Sequence, residues 1–434
     1  MRWPDVVRRR HVPQIVVLAI PGMLLLALSV MQESFGDWRT EWGWAWSQWA
    51  AQVQLTGPMT GGLAAWLVHD ARRAGRGEWL ATTPRGGSLL RHRVLVSAVP
   101  ALVAASVTAA ALPFATQATG SMTWPLLPAV SVLAAIIGSA AVGGIAGRLL
   151  HKALAAPLVV VLLWGVVVGL LPLGTVWLRV GGAGHTLAGY EVVASLPVHR
   201  VIATVVVGCT AILVLSARGP GRWSLGHRLA TAGAGLAALG VLFGSGWFAG
   251  GTYDIRPDAA AVADACSPSG STVVCAMPEH AGAAAGAAPA LASVLEARRA
   301  LGISTPDTVT ELTPHDLAAA DGRTGRGAEP LGFTIDPFSQ SRNGDAAASL
   351  VVPPMCFAAQ DGLTPEQFDA SDAALRVLTL WAITVAREPA PAGLDDPAWG
   401  HFASLSPAAQ GEWLRGAITA AQACRFEDFR AIAS

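Results

Sequence analysis

Two places in the chain set an acid beside a histidine: Glu279–His280, within Cys275-Ala276-Met277-Pro278-Glu279-His280, and His315–Asp316. Imidazole and carboxylate together are ligands of a hydrolytic zinc site. The spacing does not supply one, because His-Glu-x-x-His is absent and the inverted His-x-x-Glu-His order needs a histidine where Ala276 stands. A helix opening on Pro278–Glu279, with the acid favoured by the helix dipole, accounts for the segment more simply. Phosphate chemistry is missing as well: Lys152 is the sole lysine, Ala153 follows it, and no Gly-x-x-x-x-Gly-Lys-Ser/Thr frame surrounds it. We therefore expect no catalytic residue, no metal site and no cofactor on this chain.

Thiols offer a different chemistry. Cys266, Cys275, Cys356 and Cys424 lie in residues 251–434, while Cys209 sits in an apolar run and reads as a small packed residue. An even count suits two disulfides in an oxidising compartment, and three pairings exist. Cys266-Ser-Pro-Ser-Gly-Ser-Thr-Val-Val-Cys275 reads as a hairpin, which favours Cys266 with Cys275 and, by elimination, Cys356 with Cys424.

The elements that would position these groups are set by composition. Of 434 residues 53% are hydrophobic and 13% charged, against about 25% charged in a soluble domain. An ordinary cytosolic enzyme is excluded. Uncharged runs at 13–31, 48–68, 94–116, 125–147, 153–178, 201–217 and 229–250 match the roughly 20 apolar residues that cross a bilayer. With residues 1–12 as a basic cytoplasmic N-terminus, the inside segments carry 15 basic residues and the outside loops only Arg39, Arg179 and Arg200. That bias orients a multi-pass membrane protein. An odd number of spans puts residues 251–434 outside, with 22 acidic and 11 basic residues. So acidic a domain repels phosphate backbones, which excludes nucleic acid as its partner.

Trp38, Trp42, Trp46 and Trp49 share one helical face, read as an interfacial belt or as a contact with a partner subunit. Gly143 and Gly147 stand at the four-residue spacing that lets helices approach, either within the chain or across a dimer. No span offers an acid or histidine for ion-driven transport. Energy for transport must then come from another chain, through a cytoplasmic contact.

The longest inside loop, His69 to Arg93, is the candidate for that contact, with Ala71–Thr82 expected as a short lever helix stopped at Thr83–Pro84. Glu78-Trp79-Leu80-Ala81-Thr82-Thr83-Pro84-Arg85, preceded by Arg72-Arg73, resembles the first cytoplasmic loop of ABC type-2 exporter permeases. The resemblance implies a coupling helix that docks on an ATPase subunit. Glu78, Leu80, Thr83 and Pro84 would lie at the docking surface, with Arg72, Arg73 and Arg85 orienting it. It also implies a six-span core over residues 13–217, short re-entrant helices within 178–197, a second permease subunit in a homo- or heterodimer, and ATP bound by the partner chain. A seventh span, with its preceding loop at 218–250, and the large outer domain depart from the family pattern. The run from Cys275 to His280 and the helical pattern after it are similar to an outer domain of ABC permease-like proteins of high-GC bacteria, which implies architecture and no activity.

The expected fold is an α-helical polytopic membrane protein of about seven transmembrane helices, with a mainly α extracytoplasmic domain and a small β-hairpin. Thr364-Pro365-Glu366-Gln367 and Ser406-Pro407 open helices in that domain, Pro278–Leu301 forms a third, and 321–346 is a long loop with one short strand. Besides an exporter subunit, two other functions fit: a non-transporting anchor displaying a sensor, immunity or scaffold domain, and an outer-surface peptidase dependent on His280.

Overall fold

Apolar helices make up the first of two compact units. The computed structural model describes residues 3–32, 41–73, 84–116, 126–150, 154–167, 187–192, 195–216, 255–321, 331–335, 342–354, 356, 363–387 and 396–429. The first unit contains α1 (Trp3–Gln32), α2 (Trp42–Ala51), α3 (Val53–Arg73), α4 (Pro84–Ala115), α5 (Leu126–Leu149), α6 (Ala155–Val167) and α7 (Ser195–Ser216). Four of these, within α1, α4, α5 and α7, are long and apolar enough to cross a membrane, and Ala155–Gly165 is a shorter apolar stretch. They correspond to the first, third, fourth, sixth and fifth predicted spans. The seventh, 229–250, lies outside the described residues.

Large apolar side chains cover much of this unit's exterior. Leu18 is 75% exposed and Phe114 92%, with Leu25, Val161 and Val205 also outward, while Met23, Ala27, Leu67, Leu112 and Ile136 are buried. Such a surface is unstable in water at roughly 25 cal/mol per Å² of apolar area and needs no water in lipid. The apolar helices thus point to a membrane-embedded protein.

The second predicted span is not one straight helix. Gln52 separates α2 from α3, and α2 turns its tryptophans inward: Trp44, Trp46 and Trp49 are buried, with Trp46 and Trp49 edge to face at 5.5 Å. The Trp49 indole N–H donates to the Ala105 carbonyl of α4 at 3.0 Å. This corrects both readings of the stripe over Trp46 and Trp49, which pack inside the chain. Gln52 makes hydrogen bonds with Thr108, also on α4, and the Thr56 hydroxyl donates to the Gln52 carbonyl. Trp49 and Gln52 are thus satisfied by a neighbouring helix, as lipid requires.

The glycines of α5 also work within the chain. A Cβ on Gly143 would collide with the backbone of Gly61, and one on Gly147 with that of Ala65, both on α3. The backbones of α3 and α5 meet so closely that no side chain fits between them. This seam is intramolecular. Cys209, expected to be packed, lies on the exposed face of α7 and is free.

The described residues of the second unit are Leu187–Glu191 and those from Pro257 onward. Strand β1 (Tyr190–Val192) pairs with β2 (Ile255–Pro257). Next come β3 (Ala265–Ser269), β4 (Thr272–Ala276), a 3-10 turn at Pro278–His280, α8 (Ala281–Ala300), β5 (Thr308–Glu311), α9 (Pro314–Asp321), β6 (Gly332–Phe333) and α10 (Arg342–Ser349). Helices α11 (Pro365–Val385), α12 (Pro397–Ser404) and α13 (Pro407–Gln422) complete it. The expected hairpin is present but is only one side of a four-stranded sheet ordered β3-β4-β5-β6, antiparallel at β3–β4 and parallel beyond. Helices α8 and α9 form the crossovers that parallel neighbours require. The stretch 321–346 holds the one short strand expected there, β6, and also the start of α10, which was not expected.

Capping fixes the helix starts. Thr364 accepts the Gln367 N–H while the Gln367 side chain accepts the Thr364 N–H, the reciprocal box expected there. Ser406 accepts from Ala409. Leu291, Val294 and Leu295 of α8 meet Val274, Val309 and Phe333 of the sheet, and Leu378, Ile383 and Ile418 extend this core. Cys266 and Cys275 stand directly opposite in the hairpin and are bonded, and Cys356 is bonded to Cys424. Both pairs follow the favoured pairing.

Candidate functional site

The loop singled out for coupling is bounded by the two ends that the structure describes. Arg72 and Arg73 are the last residues of α3, which also takes in Ala71 from the expected lever helix. Pro84 and Arg85 are the first residues of α4. Glu78, Leu80 and Thr83 lie outside the described residues. Pro84, read from sequence as a stop, starts a helix: a proline at the first helical position loses no hydrogen bond and carries the right φ. Helix α4 therefore begins well before the apolar run at 94.

Just beyond that start, Arg93 is turned inward. Its guanidinium donates to the Leu67 carbonyl at 2.8 Å and to Asp70 Oδ2 at 3.2 Å, both on α3. Arg93 is buried, whereas the Asp70 carboxylate is about half exposed. One side chain thus fastens the two helices that frame residues 74–83. Leu67 lies in the last turns of α3, where carbonyls carry the negative end of the helix dipole, so the cation fits electrostatically as well. Arg93 was counted in the sequence only as an inside charge. Its partners are 26 and 23 residues away, and no local pattern announces them.

Arg200, assigned from sequence to an outside loop, belongs to α7, is buried, and lies 3.2 Å from the Ser131 hydroxyl of α5. The region expected to hold re-entrant helices reads differently where it is described: Leu187–Val192 is a turn followed by β1.

In the second unit the two acid–histidine pairs have structural partners. His280 does not act with its neighbour Glu279. Its Nδ1 lies 2.5 Å from Glu311 Oε1 at the end of β5, with the two side chains 4% and 2% exposed. The other Glu311 oxygen accepts the Met277 N–H at 2.9 Å. Asp316 caps the start of α9 by accepting from the Thr313 N–H and hydroxyl, at 3.0 and 2.7 Å, and His315 is exposed. Among the described residues no group of three His, Cys, Asp or Glu side chains is placed to hold a metal ion.

Another charge, Arg298 of α8, is fully buried and donates from one terminal nitrogen to the Leu350 carbonyl. Among the described residues, its Nε and other terminal nitrogen have no hydrogen-bond partner. Burial pushes the guanidinium pKa down to about 10, which marks a desolvation cost its single acceptor does not offset. Compared with protein-family models, with curated proteins and with solved structures, the chain matches none.

Proposed function

We propose that the chain is a membrane-embedded permease subunit of an ABC exporter, working as a dimer with separate ATPase subunits that dock at residues 71–85. The observation that carries this reading is the Glu78–Arg85 run, set between two long helices whose facing ends are fastened by Arg93. A push on a floppy loop is dissipated, whereas a push on a braced one moves both helices. The close α3–α5 contact at Gly61 and Gly143 then carries displacement into α5, which packs on α7. No phosphate-binding frame exists on the chain, so the work stroke comes from the partner's ATP.

Two further observations support the proposed orientation. Leu187–Glu191 falls in a loop that the charge bias puts outside, and it belongs to the same compact unit as residues 257–434. Both disulfides lie in that unit, as expected on the oxidising side. Because the Gly143–Gly147 seam is occupied within the chain, the second permease subunit must use another face.

Purification of the intact complex from native membranes, with and without a non-hydrolysable ATP analogue, tests the reading. An ATPase chain carrying a Gly-Lys-Ser/Thr loop is expected to copurify. Its absence from an intact complex under both conditions contradicts the proposal. A non-transporting anchor is the second reading, favoured by the separate core and disulfides of the outer unit. It tolerates charge reversal at Arg72, Arg73 and Glu78, whereas the exporter loses ATP coupling.

A further inference from the structure

The described residues of the second compact unit come from parts of the chain that are far apart in sequence, Leu187–Glu191 and the stretch beginning at Pro257. We infer that this outer domain is a clasp closed on the loop between α6 and α7, with Gly189 as its point of capture. The inference does not rest on the exporter reading, because it concerns what the domain holds rather than what drives the membrane helices.

Gly189 meets two separate requirements. Its φ of +72° costs an L side chain about 1 kcal/mol or more. A Cβ there would also lie 2.5 Å from Pro314 Cδ and 2.8 Å from Met277 Sδ. Only a residue without a side chain allows the loop to reach this wall. Its carbonyl accepts the Asp258 N–H at 2.9 Å, the Tyr190 N–H closes a turn onto Leu187 at 3.1 Å, and β1 pairs with β2. Ala188 beside it is 1% exposed.

The wall itself is held in place. Met277 follows β4 directly, and its N–H is fixed by Glu311, whose second oxygen is paired with His280. Pro314 opens α9 just after β5. Both residues therefore lie at the carboxyl ends of neighbouring parallel strands, the edge where open α/β sheets take their ligands. Here the occupant is the chain's own loop. The buried His280–Glu311 pair is the brace of this receiving edge. Gly189 then holds the domain to this loop by non-covalent contacts, in addition to the covalent connection of the chain.

Cutting the covalent connection tests this directly. A site-specific protease sequence is inserted between Gly251 and Thr252 of the full-length protein, which is purified in detergent, cut, and passed over a sizing column in high salt. The account expects the fragment from 252 to 434 to coelute with the membrane part, and Gly189→Ala to release most of it. Gly270→Ala is the control: it too has positive φ, +60°, but its nearest outside atom is 3.9 Å from a Cβ, and it should leave coelution intact. Immediate release of the fragment from the otherwise unaltered chain overturns the inference, whatever Gly189→Ala does to folding. Coelution that survives both Gly189→Ala and Gly189→Val overturns Gly189 as the capture point.

Discussion

Arg93 on α4 reaches back to Asp70 on α3 with 3.2 Å between nitrogen and oxygen, across the two ends of the loop proposed to receive the ATPase. Because the carboxylate is about half exposed, the ion pair itself contributes little, and the bond to the buried Leu67 carbonyl matters more. Arg93→Met should lower stability by roughly 1–3 kcal/mol by removing a buried, charged hydrogen bond between the two helices. Asp70→Asn should cost well under 1 kcal/mol. Thermal unfolding of the detergent-solubilised protein separates the two; equal effects would show that the pair, not the carbonyl, holds the joint.

The α3–α5 seam makes a sharper demand. Gly143→Leu cannot be absorbed by a side-chain rotation, since the obstacle is the backbone of Gly61. Overpacking of this kind costs typically 1–3 kcal/mol and more where backbone must shift. We expect a lower melting temperature and loss of the monodisperse peak in size-exclusion chromatography. Gly208→Leu, on α7 with nothing within 4 Å of its Cβ position, should behave like the parent.

Asp396 gives the second unit a defined acid sensitivity. Burial raises its carboxyl pKa, but the Trp399 N–H, the Arg376 side chain and the Ala398 N–H outweigh that and hold it below its ordinary value. A carboxyl depressed in the folded state contributes stability above its unfolded pKa of about 3.9 and loses it as pH falls through the folded value. Asp396→Asn keeps a capping oxygen but cannot titrate, so its melting temperature should depend less on pH in that acid window. Asp396→Ala should cost about 1 kcal/mol at neutral pH through the lost α12 cap.

The disulfides should differ in weight. Cys356 and Cys424 are 68 residues apart, Cys266 and Cys275 only 9. Loop-closure entropy assigns about 4 kcal/mol to the long link and about 3 kcal/mol to the short one. Replacing Cys356 and Cys424 by serine should therefore lower the second unit's melting temperature more than replacing Cys266 and Cys275. The reverse order would show that local hairpin geometry dominates.

These relationships divide by range. Elements set by neighbouring residues were legible in the sequence: the apolar runs at α1, α4, α5 and α7, the capping box at Thr364, and the hairpin that pairs Cys266 with Cys275. Pro84 was visible but ambiguous, since the same ring that disfavours a helix before it favours one after it. Strand β5 was missed because four residues, Thr308–Glu311, gain their stability from parallel neighbours reached through α8 and α9. The tryptophan face looked like a membrane belt, yet an indole satisfied by the Ala105 carbonyl is equally at home between helices. Arg93, Glu311 and Gly189 owe their roles to partners distant in the chain, and no spacing rule reaches them.

Docking of a separate ATPase on residues 71–85 is the central claim, and a photoreactive amino acid at Leu80 tests it in native membranes. Irradiation should give a crosslinked product containing a chain with a Gly-Lys-Ser/Thr phosphate loop, and Arg72→Glu with Arg73→Glu should weaken that product at least tenfold. A full-length, correctly inserted protein whose Leu80 position crosslinks only to lipid, or to no ATPase chain at all, would contradict the account.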